Sequence, residues 1–189
     1  MEQSLNNIRH ERSKKDFPKL KLEDDEYVEI AIARVAMSYM MLWCGIIAGI
    51  ILIMIAYLIV LTKLPTVDET GKSAMGFFAL IISIVLLILG LAETYVFNGN
   101  KMYITNKRVT QFMMISPVAS SVNIIDLSSI EDVSFRQAGL IQKLFHFGTL
   151  RLSTVGDETT YTFPYTNISS AEVARIVKLV NDDREKNKN

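Results

Sequence analysis

The sequence predicts a membrane α-helical hairpin of two transmembrane helices, joined to a small mostly-β domain that closes with a C-terminal α-helix. Three observations carry this. Two uncharged apolar runs, 35–62 and 73–92, lie close together in the first half of the chain. From residue 93 the apolar residues alternate, the period of a half-buried strand. The C-terminal segment then returns to helical spacing. The composition agrees: half of the 189 residues are hydrophobic, yet mean hydropathy is only +0.26, so the apolar residues are concentrated in part of the chain. With 20 basic and 20 acidic residues there is no net field to attract nucleic acid, and no nucleic-acid partner is expected. Cys44 is the one cysteine, and His10 and His146 are far apart in sequence. Neither a disulfide framework nor a metal site can be built from these, and no cofactor is expected.

Residues 1–34 read as a polar cytoplasmic N-terminal arm, mobile up to about residue 25. Arg12, Lys14 and Lys15 are placed either to touch anionic lipid or to be solvated. Glu23, Asp24, Asp25 and Glu26 lack the spacing of a calcium loop and read as solvated. Tyr27 to Arg34 alternates Val28, Ile30 and Ile32 with Glu29 and small residues, as a short strand or as the lead-in to the first helix.

The first apolar run has 28 uncharged residues, roughly 42 Å as a helix, against a hydrocarbon core of about 30 Å. It begins too late and runs too long for a signal peptide. The second, 73–92, has 20, near the minimum for a crossing. The link 63–72, with Pro65 and Gly71, reads as a short external loop and forces an antiparallel hairpin. Small residues let helices approach in lipid. Gly45 and Gly49 form a GxxxG pair on the first helix; Gly76, Ser83 and Gly90 share one face of the second. These are the expected packing faces, with dimerisation through GxxxG as the alternative. Seven basic residues precede the first run and two lie in the link, so both termini and the following domain are expected in the cytoplasm, at the cell membrane.

Within 93–182, Met102–Thr105 and Val109–Ile115 flank an Asn106-Lys107 turn as a hairpin. Ser121–Leu127 and Glu131–Arg136 follow as strands. Leu140, Ile141, Leu144 and Phe145 have helical spacing. Thr149–Ser153, a Gly156-Asp157 turn and Thr159–Tyr165 complete the strands. Ser169 and Glu172 form a capping box, with Ile168 and Val173 as a hydrophobic staple. Val173, Ile176, Val177 and Val180 then occupy one helix face. Residues 183–189 are a polar tail.

The motifs YITNKRV, IDLSSIEDVSFRQ and LFHFGTLRLST, followed by the terminal helix, resemble the bacterial PH domain of the YdbS-like membrane proteins. Two membrane helices ahead of the domain and DDEYVEIAIAR before them add to the likeness. It implies a PH-like fold: a bent, partly open barrel of about seven strands capped by the C-terminal helix. The long polar N-terminal arm departs from the shortest members of that group.

No catalytic motif is present: neither GxSxG, a P-loop, GxGxxG nor HExxH. Ser169 and Ser170 have no nearby histidine, and Asp126, Glu131 and Asp132 read as turn and strand-end residues. The expected function is a non-enzymatic one, a membrane-anchored PH-like module that binds a protein partner or serves envelope scaffolding or sensing. Its partner is unnamed by the sequence, and self-association is one option. The alternative is a lipid-headgroup-binding module at the cytoplasmic membrane surface. Lys101, Lys107 and Arg108, around the first hairpin turn, are the residues that would contact a headgroup or the membrane surface.

Overall fold

The computed structural model describes residues 2–63, 67–154 and 160–186. The expected turns at Pro65 and Gly156-Asp157 lie outside them. The chain forms two compact units, one of residues 1–35, 98–115 and 119–189, the other of 36–97 with 116–118.

The second unit is a pair of long helices, α2 (Met37–Lys63) and α3 (Glu69–Gly99), both long and apolar enough to cross a membrane. α3 outruns the expected 73–92 at both ends. It starts early because Asp68 caps it, its Oδ1 accepting the Gly71 amide at 3.0 Å. It continues past Glu93 because nothing in Thr94-Tyr95-Val96-Phe97 breaks a helix.

The half-buried positions of α2 include Trp43, Ile46, Gly49, Ile50, Ile53, Tyr57 and Val60, a spacing of mostly three and four that keeps one seam facing its neighbour. Gly76, Ser83 and Gly90 lie on the matching stripe of α3. A Cβ at Gly90 would come within 2.6 Å of the Ile46 side chain, and one at Gly76 within 2.6 Å of the Tyr57 hydroxyl. A Cβ at Gly49 would stand 4.0 Å from Leu86, whereas one at Gly45 would meet nothing within 4 Å. Gly45 therefore takes no part in the contact between α2 and α3, since the seam runs through Trp43 and Ile46 on either side of it. Polar groups on the seam are paired: the Trp43 indole N–H donates to Thr94 Oγ1 (2.9 Å), and the Thr94 hydroxyl donates to the Gly90 carbonyl (2.8 Å).

The first unit begins with α1 (Glu2–Asp16), so the expected mobile arm is instead a helix. Among the described residues seven strands follow: β1 (Val28–Ala33), β2 (Lys101–Thr105), β3 (Arg108–Ser116), β4 (Ala119–Asp126), β5 (Ile130–Arg136), β6 (Gly148–Thr154) and β7 (Thr160–Thr166). A five-residue helix, α4 (Leu140–Leu144), joins β5 to β6, and α5 (Ser170–Lys186) ends the unit. One sheet has the order β1-β2-β3-β4 and the other β5-β6-β7. A single bridge, Arg34 to Thr166, links their margins.

β1 belongs to this sheet and not to a separate arm, with Ile30 opposite Ile104 and Ile32 opposite Met102. The small domain is therefore not confined to 93–182. Alternation turns Ile30, Ile32, Met102, Ile104 and Val109 inward, where they meet Leu150, Leu152 and Phe163 of the second sheet. Across this core the Gln111 amide nitrogen donates to the Thr162 carbonyl at 3.1 Å.

α5 closes the core with Ile176 and Val180, 0% and 3% exposed. Its capping box is formed as the sequence requires: the Ser169 amide donates to Glu172 Oε2 (2.8 Å) and the Glu172 amide to Ser169 Oγ (3.2 Å). Val177 departs from the expectation. At 38% exposed it lies on the margin of the buried face, which centres on Ile176.

Two outcomes follow. Ile176→Ala should destabilise the domain by about 2–5 kcal/mol, a cavity cost, while Val177→Ala stays below about 1 kcal/mol; thermal unfolding of the purified protein checks both. In the helix pair, Gly90→Leu should cost about 1–3 kcal/mol by overpacking and Gly45→Leu should cost little. Trp43 packs against Gly90, so its fluorescence during a melt in detergent reports the difference.

Candidate functional site

The segment before β1 is held on the β2–β3 turn by charge and hydrogen bonds. Glu26 is the anchor, its side chain 1% exposed. Arg108 grips it with two donors, Nε to Oε1 at 3.0 Å and Nη2 to Oε2 at 2.8 Å, the paired geometry that makes such contacts strong. The Thr105 hydroxyl donates to Oε1 at 2.7 Å and the Glu23 amide to Oε2 at 2.8 Å. Thr105 Oγ1 in turn accepts the Arg108 amide at 3.0 Å. Arg108 also pairs with Glu23 at 3.0 Å and donates to the Lys21 carbonyl. Lys107 Nζ donates to the Asp24 carbonyl at 2.9 Å. Asn106 completes the lock, accepting the Tyr27 amide at 3.0 Å and donating to the Asp25 carbonyl at 3.1 Å.

α1 is tied to the same place. Ser13 Oγ accepts the amide of Val28 at 3.0 Å, His10 Nδ1 lies 2.6 Å from the Glu26 carbonyl, and the Arg9 guanidinium sits over the Tyr27 ring. Glu29 pairs with Arg175 of α5.

The residues singled out for anion contact are therefore separated. Lys107 and Arg108 are engaged by the run Glu23–Glu26, which the sequence alone suggested was solvated. Lys101 stands at the other end of β2. There it borders a shallow groove of about 210 Å³ with Lys19, Tyr103, Phe112, Ser120 and Ser121. Sequence spacing cannot reveal this division, because Glu26 and Arg108 lie 82 positions apart. The one available signal was the placing of four consecutive acidic residues ahead of an alternating stretch.

The groups considered for catalysis are apart or occupied. The Ser169 hydroxyl serves the cap of α5, His146 is exposed in the turn after α4, and Asp126, Glu131 and Asp132 face solvent. The remaining surface is suited to binding. β4 lies at the edge of its sheet with Val122 and Ile124 exposed.

Two sheets of four and three strands, closed by one C-terminal helix, are the PH-like arrangement, and the bacterial PH domain model matches residues 27–183. The chain belongs to the bacterial PH domain family. The match is to the bacterial PH domain and does not single out the YdbS-like group that the motifs resemble. No curated protein and no solved structure matches the chain. The matched span includes β1, both apolar helices and β2, so α2 and α3 form an insertion between the first and second strands of this PH domain.

The Glu26 lock gives the PH domain a pH dependence. Burial disfavours the charged carboxylate, but the Glu23 amide, the Arg108 guanidinium and the Thr105 hydroxyl outweigh it and hold Glu26 below its ordinary value. A depressed carboxylate contributes stability that is present above its unfolded pKa, about 4.3, and is lost as pH falls through the lower folded value. Protection of the amides at residues 101–110, taken relative to their intrinsic exchange rates, should therefore fall with acid below about pH 4. Glu26→Gln should flatten that step. At neutral pH Glu26→Ala should cost about 1–3 kcal/mol, because Thr105, the Glu23 amide and two donors of Arg108 lose their shared acceptor while Arg108 keeps Glu23.

Proposed function

We propose that the chain is a membrane-anchored, non-catalytic PH-like module of the cytoplasmic membrane, with both termini and the domain on the cytoplasmic side, that binds a protein partner. The observation that carries this is the place of the helices, inserted between two strands that pair continuously, 30–33 against 101–104. Ala33 lies opposite Lys101, so the chain leaves the domain and re-enters it at one point. Any path through a bilayer must then cross it an even number of times, as two helices do. Within 40–61 and 75–91 the outward side chains of the two helices are apolar, with Leu52 and Leu91 66% and 62% exposed, a surface that suits lipid. The excess of basic residues before α2 over those in the link favours the cytoplasmic side for the domain.

With the bilayer already reached by the helices, headgroup affinity is not needed for localisation. The basic turn that would supply it is occupied, since Lys107 and Arg108 are held by Asp24, Glu23 and Glu26. The edge of β4 favours a protein instead. From Ala119 to Ile125 it carries no charge and no proline, the features that ordinarily discourage strand pairing. An extended partner segment fits such an edge as an added strand, with pockets for alternate side chains beside Val122 and Ile124.

The test uses Cys44→Ser protein. An impermeant thiol reagent added to intact cells should label Val67→Cys and not Lys178→Cys; the reverse would overturn the orientation. A photocrosslinker at Ile124 in native membranes should give a discrete protein adduct that Val122→Lys abolishes. Absence of any adduct there would remove the protein-binding reading.

A further inference from the structure

We propose that α4 makes a second, peripheral contact with the bilayer, its apolar side chains entering the headgroup–acyl boundary of a membrane that contains anionic lipid. This rests on the membrane anchorage proposed above.

Four apolar residues within six positions are uncovered here: Leu140 is 87% exposed, Leu144 70%, Ile141 47% and Phe145 44%. Scattered exposed apolar residues are ordinary, but contiguous ones mark a contact surface. The display is built into the fold. Gly139 takes a φ of 86° to start the turn. The Gln142 side-chain oxygen accepts the Ala138 amide at 2.6 Å, and its carbonyl accepts the Phe147 amide at 3.0 Å. Phe147, 3% exposed, seats the loop on the domain against Tyr165.

Charge selects the occupant. Between Asp132 and Asp157 the sequence has no acidic residue, while it has Arg136, Lys143 and Arg151. In a chain whose charges otherwise balance, a basic and apolar stretch complements an anionic lipid surface.

Position points the same way. Ala33 pairs with Lys101, Arg34 bridges to Thr166, Thr166 pairs with Gly148, and Thr149 pairs with Arg136. These residues form one row across one end of the domain, and α4 is the connection between Arg136 and Gly148. At about 4.8 Å per strand, α4 hangs roughly 15–20 Å along the row from Lys101. That is the same rim from which the chain departs for α2 and returns from α3. Ile115, 70% exposed near the end of β3, is on this rim as well, since Phe112 pairs with Lys101. The acidic run Glu23–Glu26 is at the other end, on the β2–β3 turn.

The experiment uses the full chain with Cys44→Ser and one new cysteine, carrying an environment-sensitive fluorophore, at Leu144, at Ile84 in α3, or at Ser128 beyond β4. Each protein is reconstituted into pure vesicles of phosphatidylcholine and phosphatidylglycerol, with brominated lipid or aqueous iodide as quencher. The label at 144 should be quenched by brominated lipid and shielded from iodide several-fold more than the label at 128, and Leu140→Asp should reverse this. A label at 144 that behaves like the one at 128, while that at 84 is quenched by lipid, overturns this inference and leaves the anchorage standing. A label at 84 that escapes lipid quenching overturns the anchorage itself. Shielding at 144 that occurs in native membranes but not in pure vesicles also overturns the inference, by assigning the surface to a protein.

Discussion

Pairing of β1 with β2 is the constraint on which the rest of the molecule depends. The two strands are neighbours in the sheet but flank the whole helical pair in sequence. Their ladder brings Ile30 and Ile32 against Ile104 and Met102, which fills one side of the core and removes an open edge from β2. The same ladder fixes both roots of the helical pair side by side. A lone two-strand contact of this length is weak in water, and its far end is reinforced by the buried Glu26–Arg108 pair. That pair closes a chain loop far longer than the domain's turns and does so with four donors on one carboxylate. Its value lies as much in register as in energy. A slip of one residue in β1 would turn the isoleucines outward and withdraw Glu26 from Arg108 together.

The parts legible in the sequence were those whose signals are local. The capping box of α5 needs only Ser169 and Glu172, and the sevenfold spacing of Gly76, Ser83 and Gly90 needs only one helix. The capping box stands in the structure where its pattern puts it, and a Cβ at Gly76 or Gly90 would run into side chains of α2. What could not be read depends on distant partners. The six residues of β1 alternate properly, but they adjoin a long apolar run and so also fit the approach to a helix. The acidic run is indistinguishable from a solvated one until Arg108 is brought to it. α1 has no apolar stripe, and its docking uses polar side chains, Ser13 and His10, that no periodicity reports. Val177 shows the limit of the helical pattern itself: it shares the apolar arc with Ile176, yet the core reaches only part of that arc.

A zero net charge conceals a strongly divided domain. Carboxylates gather around the β2–β3 turn, where they neutralise its cations, whereas the β5–β6 connection has Lys143, with Arg136 at its root, and no carboxylate. Neutralisation at one end and not at the other leaves a directional surface. A molecule so divided has a preferred face for any charged boundary, even though its global field is nil.

The insertion also sets an order of events during synthesis. At about 5–20 residues per second, the 79 positions between Tyr27 and Asn106 separate the emergence of the first strand from that of its partner by roughly 4–16 s. Throughout that interval the two apolar helices are being made, and the nascent strand has no sheet to join. α1 is the element that can meet it in time, because Ser13 and Val28 are only 15 positions apart. The N-terminal helix is thus the partner within reach of the strand's first amide before the rest of the domain is made, and the sheet can close only after both apolar helices have been synthesised.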